Sequence, residues 1–251
     1  MQEKNVNTFN NVTMPNLAVH DPMGNTKAHK FETVESESRL LLSSTRFSSV
    51  NDLITGLRNT FDLRFIKKYE FLDIYYRNAN NLADNETLRL RIWTLYETEN
   101  GRQIQPVQVI KSSYTYENLN GIAFKSGPKS SKVLYSTLEE AQTSLAKEGF
   151  EEELRILKTD GVHYRISGGE IERRIACETV TAFHSNSSIK WSSMMLEVEV
   201  LSDDRDKVAR GLAEVLKVLG SNQKDLIGEP MKEIALKQLK NIDVLKGGRR
   251  E

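Results

Sequence analysis

Residues 194–200 read Met-Met-Leu-Glu-Val-Glu-Val (MMLEVEV), an apolar, strand-like run that carries two carboxylates, Glu197 and Glu199, at alternate positions. On a β-strand, residues i and i+2 point the same way, so the pair presents two negative charges roughly 7 Å apart to one face of a sheet. The chain does this twice, because residues 35–39 read ESESR and set Glu35 and Glu37 in the same relation. Left alone, such charges repel. A strand holds them inward only where cations wait for them.

Working outward, further strand patterns fall at 31–42, 67–78, 86–97, 105–116, 120–128, 152–158, 162–169 and 170–183, parted by turn residues such as Asn100-Gly101 and Asn120-Gly121. Helical spacing marks four other stretches. In 49–61, Ser49 and Asp52 form a capping pair ahead of Leu53, Leu57 and Phe61; in 137–149, Thr137 and Glu140 do the same ahead of Leu138, Ala141 and Leu145. In the last third, Val208, Leu212, Val215 and Leu219 share one face, and a second helix follows Pro230. The order is mainly antiparallel sheet interrupted by helices, an α+β fold. A large antiparallel sheet curls or closes to remove its edges. The expectation is an eight-stranded antiparallel β-barrel with helices packed outside it.

The chain has 251 residues, of which 38% are hydrophobic, enough for one sizeable core. We divide it into an N-terminal tail (1–30), rich in Asn and without period, one domain (31–240) and a frayed C-terminal tail (241–251). Lys plus Arg equals Asp plus Glu at 35 each, so no global charge draws it to nucleic acid or to a membrane. The single cysteine, Cys177, excludes an intramolecular disulfide and reads as a small apolar filler. No run approaches the roughly 18 apolar residues of a membrane span and no signal-peptide core is present, so a cytoplasmic location is expected. His163 and His184 have no partner at catalytic or metal-ligand spacing and read as surface or structural residues.

Basic residues occupy strand patterns as well. Arg89 and Arg91 alternate with Leu88, Leu90 and Ile92, Lys111, Lys125 and Lys158 sit in strand contexts, and Arg174 lies four residues before Glu178. If the aliphatic faces pack under helices, these cations and Glu35, Glu37, Glu178, Glu197 and Glu199 turn into the barrel together. Buried unpaired charges cost several kcal/mol each, so such an interior has to be a wet tunnel balanced by a polyanion and a metal. Carboxylates suit hard cations such as Mg²⁺ or Mn²⁺, and arginine suits bidentate phosphate binding.

Taken in order, ESESR, FLDIYY, LRLR, GIAFKSGP, RILK, CETV and LEVEV resemble the CYTH family of triphosphate tunnel metalloenzymes, which includes class IV adenylate cyclases, thiamine triphosphatases and inorganic triphosphatases. The resemblance spans about residues 31 to 240. It implies a tunnel whose acidic residues hold divalent metal and whose basic residues hold a triphosphate. Carried over, the metal ligands are Glu35, Glu37, Glu178, Glu197 and Glu199, with Mg²⁺ or Mn²⁺ as cofactor. The phosphate ligands are Arg39, Arg89, Arg91, Lys111, Lys125, Lys158 and Arg174, and Glu35, Glu37 and Arg39 form the catalytic set. The chain departs from the pattern at Arg39, where lysine is usual, at Glu178, where aspartate is usual, and at Asp160, where a basic residue is usual. After the GIAFKSGP stretch the usual basic and acidic pair is missing, and Lys129 and Lys132 are the cations available.

The resemblance implies a metal-dependent triphosphatase acting on inorganic triphosphate, a nucleotide or a related small molecule. Three alternatives stand beside it: a class IV adenylate cyclase, an RNA 5′-triphosphatase, which alone would bring in nucleic acid, and a non-catalytic polyphosphate or nucleotide binder. No membrane partner is expected, and a homodimer is left open.

Overall fold

The computed structural model describes residues 34–77, 82–127, 130–168 and 171–247. The predicted tail 1–30, and with it Asn80, Asn81, Pro128, Lys129 and the last residues from 248 on, lie outside the described residues. No described helix is long and apolar enough to cross a membrane.

Eleven strands form one antiparallel sheet: β1 (Glu35–Leu41), β2 (Asp62–Arg77), β3 (Glu86–Thr98), the short β4 (Gly101–Arg102), β5 (Val107–Ser113), β6 (Thr115–Leu119), β7 (Ile122–Gly127), β8 (Ser131–Tyr135), β9 (Glu151–Ser167), β10 (Glu172–Phe183) and β11 (Lys190–Leu201). Hydrogen bonding runs β6-β7-β1-β11-β10-β9-β2-β3-β5-β8, with β4 on β3. The predicted closed eight-stranded barrel is corrected by this order: the ladder is open, with β6 and β8 at its two ends. The sheet is nevertheless strongly curled. Only Tyr114 separates β5 from β6, although they belong to opposite ends of the order. Two Cα steps span less than about 8 Å, so the ends must meet there. Gly127 of β7 shows how closely: a Cβ on it would sit 2.3 Å from the Ser113 carbonyl oxygen. The chain itself carries the sheet across the gap that no ladder closes.

The helices are α1 (Val50–Arg58), α2 (Leu138–Lys147), α3 (Arg205–Leu219) and α4 (Met231–Gly247). Ser49 and Thr137 accept the backbone N–H groups of Asp52 and Glu140, as their capping patterns predict. α3 starts on the Asp204 carboxylate and stops at Gly220, whose φ of 69° is left-handed. α4 runs on to Gly247, so residues 241–247 are helical.

Three helices pack on the convex side. Leu53 and Leu57 of α1 and Val208, Leu212, Val215 and Leu219 of α3 bury against Leu40, Ile175, Cys177, Leu196, Val198 and Val200. Ala141 and Leu145 of α2 cover Ile74, Tyr76, Leu88, Leu90 and Val109. Cys177 is buried in the first of these clusters, and burial pushes its thiol up to about 12. This is the apolar filler the sequence predicts.

α4 corrects the expectation that every helix lies outside. Its Met231, Ile234, Ala235 and Leu239 pack on Tyr75, Leu154, Ile156, Val180, Ala182 and Met195. By the two-residue period these share a sheet face with Asp73, Lys158, Glu178 and Glu197, the concave one. Each of these strands therefore changes along its length from apolar to charged, and α4 plugs the apolar end.

The strands predicted at 152–158 and 162–169 are a single strand, β9, with Asp160 at a φ of 54° where the registers with β2 and β10 both slip. That is a β-bulge, which inserts one extra residue and returns the following side chains to the opposite face.

Candidate active site

The charged half of the concave face lines a cavity of about 380 Å³. Its lining cations (Arg39, Lys67, Arg89, Arg91, Lys125, Lys132, Lys158 and Arg174) outnumber its carboxylates (Glu35, Glu37, Asp73, Glu197 and Glu199). Pro230 and Met231 at the start of α4 reach it at the plugged end.

The two E-x-E strands are neighbours. In the β1–β11 ladder Glu37 stands opposite Glu199 and Arg39 opposite Glu197. Directly opposed residues have Cβ atoms about 4.5–5.5 Å apart, so the four side chains form a square. Lys125 of β7 flanks Glu37 on the other side, and Arg174 of β10 flanks Glu199. Lys125 Nζ and Arg39 Nη2 each lie 2.5 Å from Glu37 Oε1, and Arg39 Nη2 is also 2.5 Å from Glu197 Oε2. Carboxylate oxygens of Glu37, Glu197 and Glu199 fall within 4.8 Å of one another.

The three carboxylates are not electrostatically alike. Burial works against ionising Glu37 and Glu197, but Arg39 and the lysines outweigh it and hold both below the usual range. Glu199 lacks so close a cation, its nearest guanidinium nitrogen, on Arg174, being 3.9 Å away. Burial, then the charges of Glu197 and Glu37, push its carboxyl up to about 8.

Across the cavity, Asp73 organises the arginines. It is 1% exposed and accepts two hydrogen bonds from Arg91, at 2.7 Å each, while Arg89 Nε lies 3.4 Å away. Burial alone would raise its pKa, yet Arg91 and Arg89 hold it low. Lys158 pairs with Glu178, which also accepts the Tyr69 hydroxyl at 2.5 Å.

The structure brings together most of the predicted site residues and separates some. Glu37, Glu197 and Glu199 form the acidic trio. Glu35 is exposed at the end of β1 and lies outside the trio, and Glu178, though buried, is taken up by Lys158 and Tyr69. Arg39 has Nη1 on the Glu229 carbonyl oxygen and Nη2 on two glutamates, and lines the cavity. Lys111 points away from the cavity and pairs with Glu86 at 2.9 Å. Arg89, Arg91, Lys125, Lys158 and Arg174 line the cavity. Asp160 does not, because the bulge turns it outward; the missing basic residue leaves no inverted charge inside.

Two cavity residues escape the sequence reading. Lys67 lies among the rings of Tyr69, Trp93 and Tyr96, with Nζ 5.3–5.8 Å from their centroids. Burial, then the Arg91 charge, lowers it to about 8. His163, read as surface or structural, lines the cavity with Nε2 at 3.8 Å from Glu199 Oε2. Burial and the neighbouring Lys67 push it down to about 3, so the imidazole is neutral.

The chain folds like proteins already solved. A conserved hypothetical protein from Pyrococcus furiosus matches with a TM-score of 0.52 at 18% identity, over 79% of this chain and 98% of that one. A Pyrococcus horikoshii protein matches with a TM-score of 0.52 at 16% identity, over 81% and 99%. At these identities the likeness shows the fold and no activity. The RNA triphosphatase domain of a mimivirus mRNA capping enzyme matches more distantly, with a TM-score of 0.43 at 10% identity over 76% and 90%, and carries no argument. No protein-family model matches the chain, and no curated protein does.

The trio fits a divalent cation on donor chemistry: three carboxylates, oxygen donors only, crowded closely enough that burial and its acidic neighbours raise the Glu199 carboxyl.

Proposed function

We propose that the protein is a divalent-metal-dependent triphosphatase of the cytoplasm, built on a CYTH-like scaffold, that hydrolyses a phosphoanhydride of a small triphosphate. The observation that carries this reading is the acidic trio, with Lys125 beside it, sharing one cavity of about 380 Å³ with Arg89, Arg91 and Lys67. The volume suits a small ligand, and the excess of cations suits a polyanion. The sequence resemblance points the same way, through the same residues apart from Lys67.

In this reading Glu37, Glu197 and Glu199 would hold the cation, which would supply charge neutralisation for the phosphoryl oxygens. Arg39 keeps Glu37 and Glu197 ionised and aimed. Arg89 and Arg91 bind phosphate oxygens, with Asp73 fixing the Arg91 fork, and Lys67, Lys125 and Lys158 add charge along the chain of phosphates. α4 fills the apolar end, with Pro230 and Met231 at the edge of the cavity. Hydrolysis forms a bond from the water oxygen to the terminal phosphorus and breaks the bond to the bridging oxygen, which leaves with the other two phosphates.

Chromatography of products from tripolyphosphate, ATP and 5′-triphosphorylated RNA, with Mg²⁺ or Mn²⁺ and with EDTA, tests this. The expected result is metal-dependent orthophosphate release from a small triphosphate. Cyclic AMP with pyrophosphate would make the protein a cyclase, release from RNA alone would make it an RNA 5′-triphosphatase, and intact substrates throughout would make it a binder.

A further inference from the structure

An exposed aromatic side chain stands in line with the acidic trio and has no task in the function just proposed. Tyr116 of β6 is 48% exposed. It stands opposite Lys125 in the β6–β7 ladder, Lys125 stands opposite Glu37 in the β7–β1 ladder, and Glu37 stands opposite Glu199 in the β1–β11 ladder. Directly opposed residues share a sheet face, so the four side chains make one row on the concave face. With strands about 4.8 Å apart, the Tyr116 backbone lies about 10 Å from that of Glu37. β6 ends the ladder, so among the described residues no strand stands beyond Tyr116.

The ring is also held in place. Tyr114, which lines the cavity, meets it edge to face, with centroids 5.4 Å apart and planes at 68°. Lys125 Nζ in turn lies 5.6 Å from the centroid of the Tyr114 ring. Tyr114 donates to Glu233 Oε1 of α4 at 2.9 Å, and the Glu233 carboxylate also accepts the Tyr116 hydroxyl. A clasp on α4 uses the two hydroxyls and gives no reason for the Tyr116 ring to stay half in water, where an aromatic surface gains nothing. A ring fixed before the ligand arrives costs little further ordering on binding.

Resting on the triphosphatase reading above, we infer that Tyr116 is a stacking platform for a heteroaromatic base, so that the substrate is a nucleoside triphosphate in preference to a bare polyphosphate. A ligand whose terminal phosphate lies at the trio can run out past Lys125 along this row, and the group esterified at its far end then meets Tyr116. Every base has a π-face, so the platform selects a planar aromatic group without choosing among the bases.

The test compares ATP with ribose 5′-triphosphate, which has the same ester and phosphates and no base, as substrates of the full chain with Mn²⁺. Wild type should show a KM for ATP about tenfold lower, the scale of one base–aromatic stack. Tyr116→Ala should erase that difference, and Tyr116→Phe, which keeps the ring and loses the hydroxyl, should restore it. Equal KM values in wild type, or a difference that survives Tyr116→Ala, would overturn the platform; so would a variant that weakens both substrates alike. The wild-type comparison decides alone should Tyr116→Ala fail to fold. A free nucleotide and the 5′ end of a triphosphorylated RNA present the same base, so the RNA is assayed beside them: turnover of ATP above that of RNA is expected, and turnover of RNA alone would overturn the nucleoside triphosphate. No turnover of any of them by wild type would overturn the triphosphatase reading, and the two dissociation constants measured by calorimetry would then decide the platform separately.

Discussion

Glu37 and Glu199 stand directly opposite each other in the β1–β11 ladder, two carboxylates at a position where like charges destabilise a sheet. The conflict is relieved unequally. Glu37 has Lys125 and Arg39 within 2.5 Å and stays ionised, and Glu199 holds a proton up to about 8. A cation entering the trio has to displace that proton. Its affinity should therefore rise with pH up to about 8 and level off beyond, with close to one proton released per ion at pH 7. Calorimetry in buffers of different ionisation enthalpy measures the release; an affinity independent of pH from 6 to 8 would contradict it.

The same proton makes the metal-free fold pH-sensitive. Between the ordinary carboxyl value of 4.5 and about 8, the folded chain binds a proton at Glu199 that the unfolded chain has lost. Stability therefore falls as pH rises through this window, by at most about 1.4 kcal/mol per unit. Below about 6.5 the depressed His163 acts in the opposite sense, and towards 8 so does Lys67, itself lowered to about 8, so the clean interval is about 6.5 to 7. Urea unfolding should show the decline in wild type and not in Glu199→Gln.

Asp73 holds the arginine side of the cavity. Asp73→Ala leaves Arg91 and Arg89 without their buried carboxylate. We expect a loss of about 3–5 kcal/mol in denaturant unfolding, together with a raised KM. A variant as stable as wild type would show that the pair is not structural.

Lys111 separates the structural reading from the sequence one. Because it pairs with Glu86 outside the cavity, Lys111→Ala should leave phosphate release within about twofold and stability within about 0.5 kcal/mol. Arg91→Ala should instead weaken substrate binding by at least about tenfold, as a charge-assisted hydrogen bond to phosphate is worth about 1.5–3 kcal/mol. Steady-state kinetics of the two variants decide.

The acidic trio was legible in the sequence because the two-residue period of a strand is unambiguous where the strand is regular, as β1 and β11 are. His163 was not, because a bulge changes parity and its signal, Asp160-Gly161, reads equally well as a turn between two strands. Lys67 was hidden by its neighbour: in Lys67-Lys68 one residue must face each side, and the pattern does not say which. Lys111 failed for a different reason. Its strand was read correctly, but Ile110 and Ser112 carry the cavity face of β5. α4 shows an apolar stripe that fits the inside or the outside of the curl equally well, and only the apolar ends of β2, β9, β10 and β11 decide between them. Open ladder or closed barrel likewise turns on the path through Tyr114, a matter of tertiary geometry that no local pattern carries.

The most direct measurement is orthophosphate release from tripolyphosphate with Mn²⁺ by wild type and by Glu197→Gln, with circular dichroism recorded on both. Wild type should release orthophosphate only with metal, and the variant should lose at least about 100-fold of that release with a superimposable spectrum. Equal release by the two proteins would contradict it, since Glu197 lies in the acidic trio and on Arg39 at once.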